Sequence, residues 1–322
     1  MLNLAIIGCG QIGSRHLQSM ALLEEEATIY LVDPSGESIN KAAEQFRNVY
    51  CPETNAAIQL ICTSSLGDLP DRLDLSIVAT ASDKRADAVA DIVGQVDLQY
   101  IILEKFLFQR ADDYDLLGAL LGRERISCFV NQWTSSLTSF RRVASKLGKG
   151  PFHIDVDAAG WGLCCNAVHL LEFFDFLTGE EPCSLASSHV ESIIPAKRSG
   201  FFEILGRFKF TTPGGSTISL ACRQGQPAAV ITLSIRSASH SVNLDFGLDY
   251  LTARWMSGET ETFRIPYQSK LTHRFVEALT SSGTCTLPNY QRSARQHLTL
   301  LQAFLPHFVA AGVSAGDICP IT

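Results

Sequence analysis

The tightest constraint on this chain sits in its first 33 residues, where an apolar run, Leu2 to Ile7, leads directly into Gly8-Cys9-Gly10-Gln11-Ile12-Gly13 and then into a helical pattern. An apolar strand that ends on G-x-G-x-x-G and opens a helix is the phosphate-binding turn of a Rossmann βαβ unit. Each position has a physical task. Gly8 permits the tight turn, Gly10 lets the backbone approach a pyrophosphate, and Gly13 lets helix and strand pack closely. The helix start at Gln11 and Ile12 adds unpaired N–H groups and the positive end of the helix dipole. Asp33 follows Gly13 by twenty residues, at the end of the second apolar run. A carboxylate there accepts hydrogen bonds from adenosine ribose hydroxyls and repels a 2′-phosphate, and no Lys or Arg comes next to welcome one. The expected cofactor is therefore NAD, with NADP disfavoured. The alternative is a plain strand-to-helix turn followed by a solvated Asp33 before Pro34.

Short apolar runs then alternate with longer amphipathic ones, as a doubly wound parallel sheet requires. Strands are predicted at Leu2 to Ile7, Thr28 to Val32, Leu75 to Ala79, Tyr100 to Leu103 and Ser127 to Val130. Helices are predicted at Ile12 to Glu26, Ser38 to Phe46, Lys84 to Val93, Asp112 to Gly122 and Leu137 to Leu147. Gly148-Lys149-Gly150-Pro151 stops any regular element and marks a candidate boundary. Beyond it the pattern turns β-rich, with runs at Phe152 to Ala159, His189 to Ile194, Phe201 to Phe210, Ser216 to Cys222, Ala229 to Ile235, Ser241 to Phe246 and Glu261 to Ile265. Helices are expected at Asn166 to Leu177, Leu271 to Thr280 and Ser293 to Phe304. The fold class is α/β plus α+β: a Rossmann dinucleotide-binding domain over 1–130, then a mostly antiparallel open-sheet domain over 131–322 for substrate binding and oligomerisation.

Composition excludes several classes. Lys plus Arg number 26 against 33 Asp plus Glu, a formal charge of −7 over 322 residues, so neither a nucleic-acid backbone nor an anionic membrane surface is a favoured partner. No apolar run approaches the roughly 18 residues that cross a bilayer, and Met1 to Ile7 reads as a buried strand. The ten cysteines include no C-x-x-C pair and lie mostly in apolar runs, which points to free thiols in a reducing, cytoplasmic setting and to no metal site.

Three further motifs complete the pattern: Ile77-Val78-Ala79-Thr80, Glu104-Lys105-Phe106, and Cys165-Asn166-Ala167-Val168-His169 leading into Leu170-Leu171-Glu172. With the glycine fingerprint and the β-rich second half, the chain resembles the glucose-fructose oxidoreductase, inositol dehydrogenase and MocA (Gfo/Idh/MocA) family essentially end to end. The resemblance implies hydride exchange between a nicotinamide and a carbon of a sugar, cyclitol or nucleotide-sugar, in a homodimer or homotetramer built through the second sheet. It places Thr80 and Glu104 at the cofactor and maps Lys105 onto the active-site lysine, whose ammonium stabilises developing alkoxide. His169 maps onto the general acid/base, suited to that task by its ordinary pKa near 6.5. A surface lysine and a packed histidine are the respective alternatives. Asn131, Trp133, Trp161, Asn166 and Cys165 flank the substrate by motif position, with core packing as the alternative.

The chain departs from the family pattern twice. Cys165 stands where the aspartate of D-x-G-x-H is expected, and a neutral thiol neither raises an imidazole pKa nor relays a proton well. Phe106 replaces the proline of E-K-P, which favours a cis bond that phenylalanine resists. Glu172, three residues after His169, either orients the imidazole or serves a structural ion pair. Cys164 and Cys165 read as structural. Arg141, Arg142, Lys146 and Lys149 read as a solvated basic face; Lys197, Arg198, Tyr267, Lys270 and His273 are weaker candidates for a substrate anion. Two rival functions stay open: an auxiliary or degenerate dinucleotide-binding module, and a non-redox enzyme that borrows and returns hydride.

Overall fold

The computed structural model describes residues 1–180, 183–228 and 230–322, which divide into two compact units. The first comprises Met1–Phe108, Asp112–Asn131 and Pro266–Gln291, and the second Gln109–Ala111, Gln132–Ile265 and Arg292–Thr322.

In the first unit, β1 (Leu2–Ile7), α1 (Gln11–Met20), β2 (Ala27–Val32), α2 (Gly36–Arg47), β3 (Ile58–Thr63), β4 (Arg72–Val78), α3 (Ser82–Gln95), β5 (Asp97–Leu103), α4 (Ala111–Arg123) and β6 (Ser127–Val130) follow in sequence. The strands form an all-parallel sheet in the order β3-β2-β1-β4-β5-β6. Leu4, Ile6, Leu31, Ile77, Ile102 and their neighbours are buried, as strands covered on both faces require. Hydrogen bonds continue the ladder past the strand ends, from Gly8 N to Val32 O (2.8 Å), Ala79 N to Ile7 O (2.8 Å), Glu104 N to Val78 O (3.1 Å) and Asn131 N to Leu103 O (2.8 Å). The fingerprint turn and the E-K motif thereby stand at the same carboxyl edge of the sheet, with the end of β4 between them, where doubly wound folds bind ligands.

The second unit contains α5 (Thr138–Leu147), β7 (His153–Ala159), α6 (Leu163–Thr178), β8 (Ser184–Pro195), β9 (Phe202–Thr211), β10 (Thr217–Arg223), β11 (Ile231–Arg236), β12 (Ser241–Phe246), β13 (Tyr250–Trp255) and β14 (Thr260–Arg264). Its sheet runs β14-β13-β12-β11-β7-β10-β9-β8, antiparallel except for the β7·β10 pair. One side of β7 is exposed and carries ion pairs, with Arg207 joining Asp155 (3.3 Å) and Asp157 (2.8 Å) and Arg223 joining Asp157. The edge strand β8 shows two register shifts against β9, a device that twists an edge away from further pairing. Two helices remain: α7 (Thr272–Ser282), in the first unit, and α8 (Tyr290–Ala310).

Several sequence expectations are corrected. β3 was not expected, because Ile58–Thr63 is an edge strand of only partial burial and lacks a strong apolar run. β13 was likewise unexpected, with Thr252 and Arg254 interrupting its apolar residues. α1 stops at Met20, not Glu26, since Glu24–Glu26 form the turn into β2. The expected strand start at Ala229 lies outside the described residues. The unit division falls at Asn131/Gln132 and not at Gly148–Pro151, and Pro266–Gln291, expected in the second domain, belongs to the first unit. Hydrogen bonds that join Gln268 to Asn131, the latter donating, and Thr272 and His273 to α1 hold that segment there. All ten cysteines are free thiols. Among the described residues, no helix is long and apolar enough to cross a membrane, and no group of three His, Cys, Asp or Glu could hold a metal ion.

Candidate active site

The turn after β1 is shaped by its glycines. Gly8 has φ +96°, and a Cβ at Gly13 would lie 1.9 Å from the Gly8 carbonyl oxygen, so helix and strand approach this closely only without a side chain. A Cβ on Gly10 would meet nothing within 4 Å, leaving open space before the start of α1. No side chain caps that helix, and its first-turn N–H groups at Gln11, Ile12 and Gly13 have no intrahelical acceptors. Asp33 closes the far side: Cys9 N donates to its Oδ2 (2.7 Å) and Ser35 N to its Oδ1 (2.8 Å), which fixes the carboxylate at the end of β2. The Thr80 hydroxyl, beside Gly8, is buried with no hydrogen-bond partner among the described residues. An uncapped helix start, open space at Gly10 and an orphaned hydroxyl fit a pyrophosphate and ribose. Burial and the charge of Asp33 push the Cys9 thiol up to about 12, so Cys9 is a packing residue.

Glu104 takes part in a different structure. Its carboxylate is buried, with His16 Nε2 2.8 Å from Oε1 and the Asn131 amide nitrogen donating to the same oxygen. His16 Nδ1 lies 2.8 Å from Thr272 Oγ1, and Gln268 bonds both Thr272 (2.8 Å) and Asn131 (3.0 Å). Burial pushes the Glu104 carboxyl up, but the bond and charge of His16, the Asn131 amide and the Lys105 ammonium outweigh it and hold the group below its ordinary value. Lys105 follows, half-buried. The loop that carries it is clamped by Arg85, which is 2% exposed and donates to the carbonyls of Thr80, Phe106 and Leu107. The Lys105–Phe106 peptide bond is cis although residue 106 is not proline, which corrects the sequence expectation; the Phe106 ring is fully buried.

In the second unit, α6 displays the third motif. Trp133, Trp161, Asn166 and His169 share the wall of one cavity, with the Trp133 and His169 rings 5.2 Å apart. Cys165 faces the helix start, where the Cys164 and Cys165 N–H groups donate to Glu203 of β9 (2.7 and 3.3 Å). A carboxylate from another strand thus satisfies the first N–H groups of α6. Burial, reinforced by Glu203, pushes the Cys164 thiol well up. Among the described residues Glu172 meets neither His169 nor a cation at ion-pair distance; it accepts from the N–H (2.9 Å) and hydroxyl of Ser135. Burial raises its carboxyl despite those bonds.

Sequence reasoning expected Asn131 at the substrate. The structure places it at 2% exposure, holding Glu104 and Gln268. His16, Arg85, Gln268, Thr272 and Glu203 were not singled out, and only His16 carried a local signal, as a polar residue on the apolar face of α1. His273 bonds Ser19 (3.0 Å) and is half-buried, while Arg142 and Lys146 pair with Glu261.

Residues 2–132 match the Gfo/Idh/MocA family model, described as an oxidoreductase family with an NAD-binding Rossmann fold. That match spans the six parallel strands of the first unit. Solved structures extend the likeness over nearly the whole chain at the level of fold. Levoglucosan dehydrogenase in complex with NADH and L-sorbose is 16% identical, with 99% of each chain covered and a TM-score of 0.68. UDP-N-acetylglucosamine 3-dehydrogenase GnnA from Acidithiobacillus ferrooxidans is 13% identical, with 94% of this chain and 96% of that one covered and a TM-score of 0.68. A super-repressor mutant of Gal80p from Saccharomyces cerevisiae is 11% identical over 96% of each chain, TM-score 0.67. No curated protein matches the chain by sequence.

Proposed function

We propose that this chain is an NAD-dependent oxidoreductase acting on a carbon of a sugar, cyclitol or nucleotide-sugar. The observation that carries the proposal is the half-buried Lys105, held at the carboxyl edge of the Rossmann sheet by Arg85 below and the Glu104–His16 pair beside it. Bound NAD supplies a hydride acceptor, and NADH a hydride donor. Gly8, Gly10, Gln11, Ile12 and Gly13 cradle the pyrophosphate, Asp33 accepts from the adenosine ribose, and Thr80 contributes its free hydroxyl. Asp33 selects NAD over NADP by charge. The Lys105 ammonium hydrogen-bonds the reacting oxygen and stabilises negative charge on it, while a His169 ring nitrogen takes the hydroxyl proton during oxidation and returns it during reduction. Trp133, Trp161 and Asn166 position the substrate. Glu104 acts behind Lys105, as a buried countercharge. The active protein is a homodimer or homotetramer assembled through the second sheet.

The test is to titrate the purified protein with NADH by fluorescence and then to measure NADH formation across a panel of sugars, cyclitols and nucleotide-sugars. Binding with turnover of at least one candidate, lowered about hundredfold by Lys105→Ala, is expected. Binding without turnover of any panel member supports the second reading, a dinucleotide-binding module. That reading draws on Cys165 in the aspartate position and on the shared fold of the Gal80p super-repressor.

A further inference from the structure

The buried pair formed by His16 and Glu104 can hold two different charges without losing a hydrogen bond. The His16 ring is fully buried on α1, with Nε2 2.8 Å from the Glu104 carboxylate and Nδ1 2.8 Å from Thr272 Oγ1. Because the Glu104 carboxyl is held below its ordinary range, it is ionised at neutral pH, and Nε2 carries a hydrogen that it donates. Nδ1 can then take either role. In a neutral ring it accepts from the Thr272 hydroxyl. In a cationic ring it donates to that oxygen, whose own hydrogen turns to the Gln268 carbonyl 3.4 Å away. In both states Gln268 Nε2 donates to Thr272 Oγ1 (2.8 Å), and the Asn131 amide bridges Glu104 and Gln268. One proton on Nδ1 thus decides whether the pair carries a net negative charge or none, and all five residues lie in the first unit.

Among the described residues, Glu104 is the ionisable group that the His16 ring touches. Lys105 comes next in the chain, and Arg85 of α3 gives donors to the carbonyls of Thr80, Phe106 and Leu107. On α7, His273 beside Thr272 is turned to Ser19, with Arg274 and Glu24 as its charged neighbours. The face of α2 that is buried is apolar; Glu37, Lys41, Glu44 and Arg47 on that helix are exposed, as are Arg15 and Lys270. The charge of the pair is therefore felt at the carboxyl edge of the sheet, because α1 carries both the glycine turn and His16, and the E-K motif carries both Glu104 and Lys105. Nicotinamide is cationic in NAD+ and neutral in NADH, whereas the phosphate charges are the same. A buried negative charge at that edge favours the oxidised form, and neutralising it favours the reduced one. We infer that His16 is a positioning residue that, acting through Glu104, sets the preference of the site between NAD+ and NADH, Nδ1 drawing a proton from solvent when NADH binds and returning it when NAD+ binds. The inference rests on the oxidoreductase reading, which puts the nicotinamide at Lys105, and it adds a determinant of cofactor oxidation state that the reading does not contain.

The experiment is calorimetric titration of the purified protein with NAD+ and with NADH at intervals from about pH 8.5 to about pH 6, where an imidazole changes charge. Each titration is repeated in two buffers of different ionisation enthalpy, which counts the protons exchanged. The preference for NADH over NAD+ should rise about fivefold as pH falls across that range, and NAD+ should release more protons than NADH on binding. His16→Gln keeps a donor for Glu104 but exchanges no proton, so its affinity ratio should be flat with pH. Thr272→Val keeps the Nε2 bond and removes the acceptor for Nδ1–H; the change should shrink to about twofold or less. Should His16→Gln not fold, Thr272→Val and the proton count decide alone. A flat ratio in the parent with equal proton release overturns the inference, and so does a pH dependence that persists in the variants. Turnover of the sugar panel is followed in parallel. A pH-linked ratio without turnover of any panel member supports the His16 assignment and overturns the oxidoreductase reading. Turnover with a flat ratio overturns the assignment and leaves that reading intact. Binding of neither cofactor form overturns both.

Discussion

Glu104 in the first unit and Glu172 in the second are both buried carboxylates, yet their surroundings push them in opposite directions. Glu104 meets His16, Asn131 and the nearby Lys105, and it is held below the ordinary carboxylate value. Among the described residues Glu172 accepts at close range from the Ser135 N–H and hydroxyl, with Arg292 and Arg141 acting as more distant charges, and burial raises it. The lesson concerns compensation. Two neutral donors do not replace the water a carboxylate loses on burial, whereas an imidazole, an amide and an ammonium together do. The two units divide in the same way: the first presents placed charge and backbone N–H groups at Asp33 and the start of α1, and the second an aromatic-walled cavity.

The largest expected effect breaks the Glu104 pair. Glu104→Gln leaves His16 buried opposite an amide and should cost about 3 kcal/mol of stability at neutral pH. Because the folded Glu104 carboxyl lies below its ordinary 4.5, its stabilisation is complete above 4.5 and is lost as pH falls through the lower folded value. Denaturant unfolding of parent and variant should therefore show a gap at pH 7 that closes in acid; a gap independent of pH would break the assignment of charge to the pair.

Next in size is Lys105→Ala. Turnover on a confirmed substrate should fall about hundredfold, about 2.7 kcal/mol, while NADH affinity stays within about twofold. Steady-state kinetics with a parallel NADH titration check both halves, and a change confined to KM would assign Lys105 to ground-state binding only.

Asp33 sharpens the contrast in recognition. The parent should bind NADH at least about tenfold more tightly than NADPH, about 1.4 kcal/mol, and Asp33→Ala should narrow that gap to about threefold. Calorimetric titration with both cofactors decides it, and equal affinities in the parent would remove Asp33 from the specificity argument.

The smallest effect belongs to the second glutamate. Since folding raises the Glu172 carboxyl above 4.5, its contribution to stability is greatest below 4.5 and is lost as pH rises through the folded value. Glu172→Gln should then match or exceed the parent by up to about 1 kcal/mol at pH 8, with the advantage disappearing toward pH 4. Thermal unfolding across that range tests it. A slope of the same sign as that of Glu104→Gln would erase the distinction between the two sites.

The sequence by itself determined the elements whose signal is local. Gly8 and Gly13 must be glycine because of a positive φ and a 1.9 Å approach inside one turn, and Asp33 lies a fixed βαβ length away, so the geometry of that turn was legible in the residue order. The alternating pattern likewise specified both sheets, apart from the weakly patterned β3 and β13. Only tertiary structure decided how the carboxylates are paired. His16 reaches Glu104 across 88 residues and Thr272 across 256, and Glu203 comes to the start of α6 from β9, 38 positions from Cys165. Glu172 lay at helical spacing from His169, yet it turned to Ser135 because a buried carboxylate must take the donors that packing brings within reach. Spacing along a helix names neighbours on one face. Which of them a buried charge chooses depends on what the other elements place opposite, and that is settled only when the chain has folded.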